Sequence, residues 1–252
     1  MKNQYLKNLN KIEFVVTSAC TGRCKHCSQG EHISSGEHID SAIAKDAVRR
    51  VAAEYDIKTV MTFGGEPLLY PAVVCEIMNA AREANVPVRQ VITNGYFSRS
   101  RDKIREVAEM LFLSGVNDLL LSVDAFHQET IPLDVVLDFA REVTGRSIPT
   151  RLQPAWLVSA EDNNLYNVET RKILHKFSEL NIPISEGNVI FPEGNAARFL
   201  AEYFEGALPE NPYVDDPHDM RCLSFSSNGD VLCGNVNRTD IIEIIKNYKP
   251  KV

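Results

Sequence analysis

The chain has 252 residues, a formal net charge of −7 and 44% hydrophobic residues. That length supports one sizeable core, and the composition is too apolar for a disordered chain. No run of about 18 apolar residues is present, the N-terminal stretch lacks an apolar signal-peptide core, and the acidic balance argues against nucleic acid, so the expected setting is the cytoplasm, away from membrane.

In chain order, residues 11–17 (KIEFVVT) read as a strand. Residues 41–55 have helical period, with Asp40 or Ser41 as cap. Strand 58–63, helix 70–84, strand 88–94 and helix 101–115 follow, the last closed by Gly115. Strand 118–124 leads to helix 133–145, strand 150–158 leads to helix 167–180, and strand 183–191 completes the series. This alternation builds a parallel sheet with right-handed crossovers. Six units are too few for an eight-unit barrel. The expected fold is therefore α/β, a partial (β/α)6 TIM-like barrel of parallel strands. From about Pro209 the pattern breaks: residues 220–236 read as a β-hairpin turning at 226–230, and 240–248 as a short helix. The expected division is a core of residues 1–208 and a small hairpin-and-helix appendage, 209–252, packed on it.

In parallel βα architectures, sites gather at the carboxyl ends of the strands. The unusual residues fall there. Strand one is followed by Cys20, Cys24 and Cys27, strand two by Gly64, Gly65, Glu66 and Pro67, and strand three by Thr93, Asn94 and Gly95. Strand four ends in Ser122, Asp124 and His127, and strand six leads to "FPEGNAAR". By contrast, Arg99, Arg101, Lys103 and Arg105 read as the solvated face of a helix start.

Six cysteines could suggest three disulfides, but cytosolic thiols stay reduced, and the C-x3-C-x2-C loop is too clustered for easy pairing. Metal or cluster binding is the better reading. Three thiolates on a four-iron cubane leave one iron without a protein ligand, and an open coordination position belongs to chemistry rather than scaffolding. A zinc site with His26 or His32 as fourth ligand is the alternative, and it does not account for "GGEP".

"CTGRCKHC" followed by "GGEP" resembles the radical SAM superfamily, over roughly residues 11–200. The resemblance implies a [4Fe-4S] cluster held by Cys20, Cys24 and Cys27, with the methionine part of S-adenosylmethionine (SAM) on the open iron. One electron then splits SAM into methionine and a 5'-deoxyadenosyl radical, which takes hydrogen from an unactivated C–H bond. A flavodoxin- or ferredoxin-type reductant is expected by analogy. His26 becomes a neighbour of the adenine. Gly64 and Gly65 let the backbone approach the methionine moiety, Glu66 accepts from its amino group, and Pro67 stiffens the turn. Asn94, Ser122 and Asp124 are candidate SAM contacts, and His127 could face substrate or cap a helix. Arg151 is a candidate for the SAM carboxylate. Gln153 shares its strand face, while Trp156 and Cys75 read as core.

Cys222 and Cys233 flank Gly229 and resemble the opening of the SPASM or twitch extension of peptide-modifying members. No cysteine follows Cys233, so an auxiliary iron–sulfur cluster is in doubt. Three readings stay open: a covering hairpin, a cluster with other ligands, or a thiol that gives hydrogen to a substrate radical. The expected substrate is a peptide or protein. The alternatives are a small metabolite or cofactor precursor, and, from another class, a non-catalytic iron–sulfur or zinc protein.

Overall fold

The computed structural model describes residues 2–30, 33, 36–204 and 209–250; His32 lies outside them. The chain builds β1 (Lys11–Val15), α1 (Ser41–Glu54), β2 (Thr59–Phe63), α2 (Pro71–Glu83), β3 (Val88–Thr93), α3 (Arg101–Ser114) and β4 (Asp118–Ser122). It continues with α4 (Ala125–Gln128), α5 (Leu133–Gly145), β5 (Thr150–Gln153), β6 (Ala155–Trp156), α6 (Leu165–His175), β7 (Asn188–Val189) and α7 (Gly194–Phe199). β8 (Cys222–Phe225), β9 (Asp230–Val231), β10 (Gly234–Asn235) and α8 (Ile241–Asn247) close it.

The sheet runs β5-β4-β3-β2-β1-β8, every neighbour parallel, and it does not close. Helix starts follow local chemistry. Asp40 accepts from the N–H groups of Ala42 and Ile43 at α1, and Ser100 from Lys103 at α3. Gly115 ends α3 in the left-handed region at φ 81°. The strands alternate: Ile12 and Phe14 are wholly buried in the core with α1 and α2, while Lys11, Glu13 and Val15 are half-buried on the concave face. That concave face mixes Glu13, Gln90 and Ser122 with Val15, Met61, Ile92 and Leu120 around a cavity, where a closed barrel would have packed layers. It is a trough.

Two elements differ from the expectation. The strand expected at 150–158 is interrupted at Pro154, which has no N–H to give. Leu152 bridges Ile184 in parallel, and only then does β6 pair with β7. The segment expected as the first hairpin arm joins the main sheet. β8 lies parallel to β1, and the rings of Phe14 and Phe225 stack at 4.7 Å. The antiparallel pair falls later, between β9 and β10. Leu223 and Phe225 are fully buried, so the free edge of β1 gives β8 both its hydrogen bonds and its apolar cover. α8 then packs beside α1 with four isoleucines buried, and Asp240 forms an ion pair with Arg50. In effect β8 and α8 act as one more βα unit.

Arg101 pairs with Asp138, Lys103 with Glu106, and Arg105 approaches Asp102 and Glu142. That patch is a solvated, neutralised helix face. Trp156 and Cys75 are buried in the core.

Candidate active site

The loop after β1 brings Cys20, Cys24 and Cys27 to the rim of the trough, the first two buried and the third half-buried. A side chain at Gly22 would put its Cβ 3.2 Å from the sulfur of Cys24 and 3.7 Å from that of Cys20, so glycine keeps the space between them clear. The N–H of Gly22 donates to the Cys20 sulfur at 3.3 Å, and Asn94 Nδ2 approaches it at 3.6 Å. Asn195 holds the loop from outside: its N–H donates to the carbonyl of Cys27 at 2.9 Å, and its amide to that of Cys24 at 3.1 Å. Burial pushes the Cys20 thiol up to about 11 and the Cys24 and Cys27 thiols upward as well. Three thiols pushed up by burial, with backbone N–H groups on Cys20 and Cys27, are a donor set that iron would deprotonate and bind.

The glycines of "GGEP" have a nearer partner than a ligand. A Cβ on Gly65 would stand 2.1 Å from the carbonyl oxygen of Ala19, and one on Gly64 would stand 2.6 Å from that of Thr17. Gly64 also sits at φ 137°. The N–H groups of Gly65 and Glu66 donate to Thr17 and Ala19. The turn after β2 is thus clamped to the start of the cysteine loop. Gly64 and Gly65 line the trough; Glu66 and Pro67 stand behind its wall.

Glu66 is wholly buried, and its oxygens accept from the N–H of Leu68 (2.9 Å), the hydroxyl of Thr93 (2.7 Å) and the N–H of Asn94 (2.9 Å). Burial raises its carboxyl to about 7 against the pull of those donors. Oε1 takes two of these donors and Oε2 one, so the carboxylate ties the end of β2 to the end of β3. Asn94 does line the trough, with Nδ2 on Thr21.

Asp124 is also wholly buried. Oδ1 accepts from the N–H of His127 at 3.0 Å; Oδ2 accepts from His127 Nδ1 at 2.8 Å and from the N–H of Ala155 at 3.0 Å. Burial would raise this carboxyl, but His127 and these hydrogen bonds bring it down to about 2. His26 packs edge-on against His127 at 4.7 Å and tilted against Phe126 at 5.0 Å. Burial lowers His26 to about 4, and its Nδ1 is buried without a partner. Among the described residues, His26, Asp124 and His127 are the group whose ligand atoms converge, within 4.8 Å of one another.

All these walls enclose one cavity of about 910 Å3. Ser122 and Gln153 line it, Gln153 bonded to Ser185 at 2.5 Å. Arg151 does not: it forks onto Asp118 at the far end of β4 and β5. Cys222 lines the lower trough near Glu13, and burial pushes its thiol strongly up. Cys233 is exposed. Sequence reasoning missed Asn195 and the segment carrying Asn211, Tyr213 and Asp215, which walls the open side of the trough. "FPEGNAAR" did mark the rim where Asn195 sits. No helix among the described residues is long and apolar enough to cross a membrane.

The family model described as the radical SAM superfamily matches residues 14–155, the span that carries the cysteine loop, "GGEP", β4 and Asp124. A probable GTP 3',8-cyclase of Saccharolobus islandicus is 26% identical, covering 81% of this chain and 68% of that protein. A GTP 3',8-cyclase of Clostridium perfringens is 24% identical over 99% of this chain and 66% of its own length. Among solved structures, Streptococcus suis SuiB bound to its precursor peptide SuiA has the same fold, with a TM-score of 0.64 at 14% identity, over 96% of this chain and 65% of that one. The chain therefore spans about two thirds of the length of these three proteins.

Proposed function

The chain belongs to the radical SAM superfamily, and from that premise we propose that it takes hydrogen from a peptide or protein substrate lying in the open trough. It is an enzyme, and its cofactors are a [4Fe-4S] cluster and SAM. The donor set described above fits that cluster, and we assign it to Cys20, Cys24 and Cys27. When bound, the pair supplies one-electron cleavage of SAM and hydrogen abstraction from carbon. The protein's own part is to hold the thiols, to keep SAM and substrate within one walled space, and to limit water there. Gly64, Gly65, Asn94 and Ser122 are assigned to the SAM wall, with His26 beside it.

The observation that carries the substrate class is charge. Four carboxylates line the cavity, Glu13, Asp124, Glu193 and Asp215, against two cations, Lys11 and Arg221. Lys11 faces Glu13 at 2.8 Å, and Arg221 faces Asp219 at 3.3 Å. Among the described residues both cations that line the cavity are paired, so a triphosphate would enter a net-negative space, whereas a neutral or basic peptide meets no such barrier. The relatedness to GTP 3',8-cyclases favours a second reading, a small-molecule substrate. A cytoplasmic flavodoxin- or ferredoxin-type donor completes the proposal.

The test is SAM cleavage by the reconstituted enzyme with a low-potential chemical reductant. Peptides encoded beside its gene should raise 5'-deoxyadenosine formation and change in mass, and GTP should do neither. A cyclised GTP product would overturn the peptide reading.

A further inference from the structure

The backbone carbonyl of each cysteine in the cluster loop accepts from one of two residues. Asn195 serves two of them, with its N–H on Cys27 at 2.9 Å and its side-chain amide on Cys24 at 3.1 Å. Arg23 serves the third. Its Nη1 donates to the carbonyl of Cys20 at 2.8 Å and to that of Gly22 at 2.7 Å. The residue is anchored a second time, because its own N–H donates to the Thr130 hydroxyl at 3.1 Å. The two donors differ in charge. Asn195 is neutral, while Arg23 brings a full positive charge to the backbone of the first ligand.

That charge is spent on the loop itself. Lys25, the next cation along the loop, is matched by Glu129 at 3.1 Å. Asp124, a buried carboxylate, lines the same cavity as the three thiols. Among the described residues, the guanidinium of Arg23 bonds to carbonyl oxygens and not to a carboxylate. Its side chain is exposed, and a freely moving surface cation would be screened by salt; two bonds from one nitrogen keep this one at the loop.

The consequence is redox. A cluster that takes up one electron gains a negative charge where burial keeps water away, and its potential is set by the fixed charges and hydrogen bonds around it. A cation tied to the carbonyl of a ligand stabilises the reduced state more than the oxidised one.

We propose that Arg23 raises the reduction potential of the cluster, as a positioning residue of the loop whose charge eases electron uptake. The inference rests on the assignment of the cluster to Cys20, Cys24 and Cys27, and it holds for either substrate class.

The experiment is an anaerobic redox titration of the reconstituted enzyme without SAM, followed by the electron paramagnetic resonance of the reduced cluster, with iron counted in each sample. In Arg23→Met the midpoint should fall by about 60 mV, a tenfold loss of reduced cluster at a given potential, with iron at the wild-type level. Arg23→Lys keeps the charge and should return most of the shift. A wild-type midpoint in Arg23→Met would overturn the assignment. So would an equal fall in Arg23→Lys, which marks loop geometry rather than charge as the cause. If Arg23→Met takes up no iron, Arg23→Gln carries the same comparison: a lowered midpoint supports the assignment, and a wild-type midpoint, or no iron in this variant either, overturns it. Failure of the cluster assignment itself looks different, because the wild-type protein would then show neither about four irons per chain nor a reversible couple.

Discussion

The backbone N–H of Asn94 donates to Glu66 Oε2 at 2.9 Å, so the ends of β2 and β3 are tied through one carboxylate that solvent does not reach. A pH dependence follows. Burial raises the folded-state carboxyl to about 7 from an ordinary 4.5. Between those values the folded chain binds more protons than the unfolded chain. This group's contribution is therefore most favourable below pH 4.5 and declines as pH rises through 7, by about 3 kcal/mol. Urea unfolding of the iron-free protein at pH 5 and pH 8 should reveal the decline, and Glu66→Gln should remove it. The amide should also cost about 1–3 kcal/mol at pH 5, because its NH2 must face one of three existing donors. An undiminished pH slope in the variant would assign the titration to another group.

Gly65→Ala tests the clamp between "GGEP" and the cysteine loop. The added carbon would stand 2.1 Å from a backbone oxygen, which cannot rotate away as a side chain could. We expect the loop around Ala19 to shift, at a cost of about 1–3 kcal/mol, with iron retention falling before global stability does. Iron content and far-UV circular dichroism, read together, separate the two. Full iron retention would mean that the clamp is dispensable for the loop.

The legible part of this molecule was its rim. Strand ends could be placed because β-branched runs alternate with helical period, and the polar clusters after each strand fell at one end of the sheet without further information. What eluded the sequence were properties of partners distant in the chain. Gly64 and Gly65 face the cysteine loop, and Glu66 is spent on Thr93 and Asn94; only the packing of neighbouring strand ends reveals either. Asp124 and His127 lie three residues apart, yet the N–H of Ala155 that completes the set comes from another strand. The β8 segment has the alternation of any half-buried strand, and that pattern does not say whether its neighbour is the next arm or β1.

Apart from Cys75, buried in α2, the cysteines divide into two groups by position, and iron counting should follow the division. Cys24→Ala should lose most of the iron and abolish SAM cleavage with the fold retained, because the sulfur lies on a loop outside the sheet hydrogen bonds. Cys222→Ala and Cys233→Ala should each keep about four irons per chain. One of those thiols faces the trough near Glu13, and the other is exposed. A fall toward half the iron in either variant would point to an auxiliary cluster.

The last test concerns whether the C-terminal segment is a cover or a part of the core. Phe225 is fully buried, stacks on Phe14 and sits in β8, the edge strand that pairs with β1. Phe225→Ala should therefore cost about 3–5 kcal/mol, the range for a large aromatic removed from a packed interior. For a chain of this size that is a drop in Tm on the order of 10 °C. The effect should extend beyond β8, since α8 packs on α1 and Asn3 donates to the carbonyls of Ile245 and Tyr248 at 2.8 Å each. A chain cut after residue 208 should consequently lose cooperative unfolding, because it bares the buried edge of β1 and one face of α1. A detachable cover predicts the opposite: a sharp transition in the cut chain at nearly the original temperature, and a Phe225→Ala variant that melts like the parent. Differential scanning calorimetry of the two proteins decides between them.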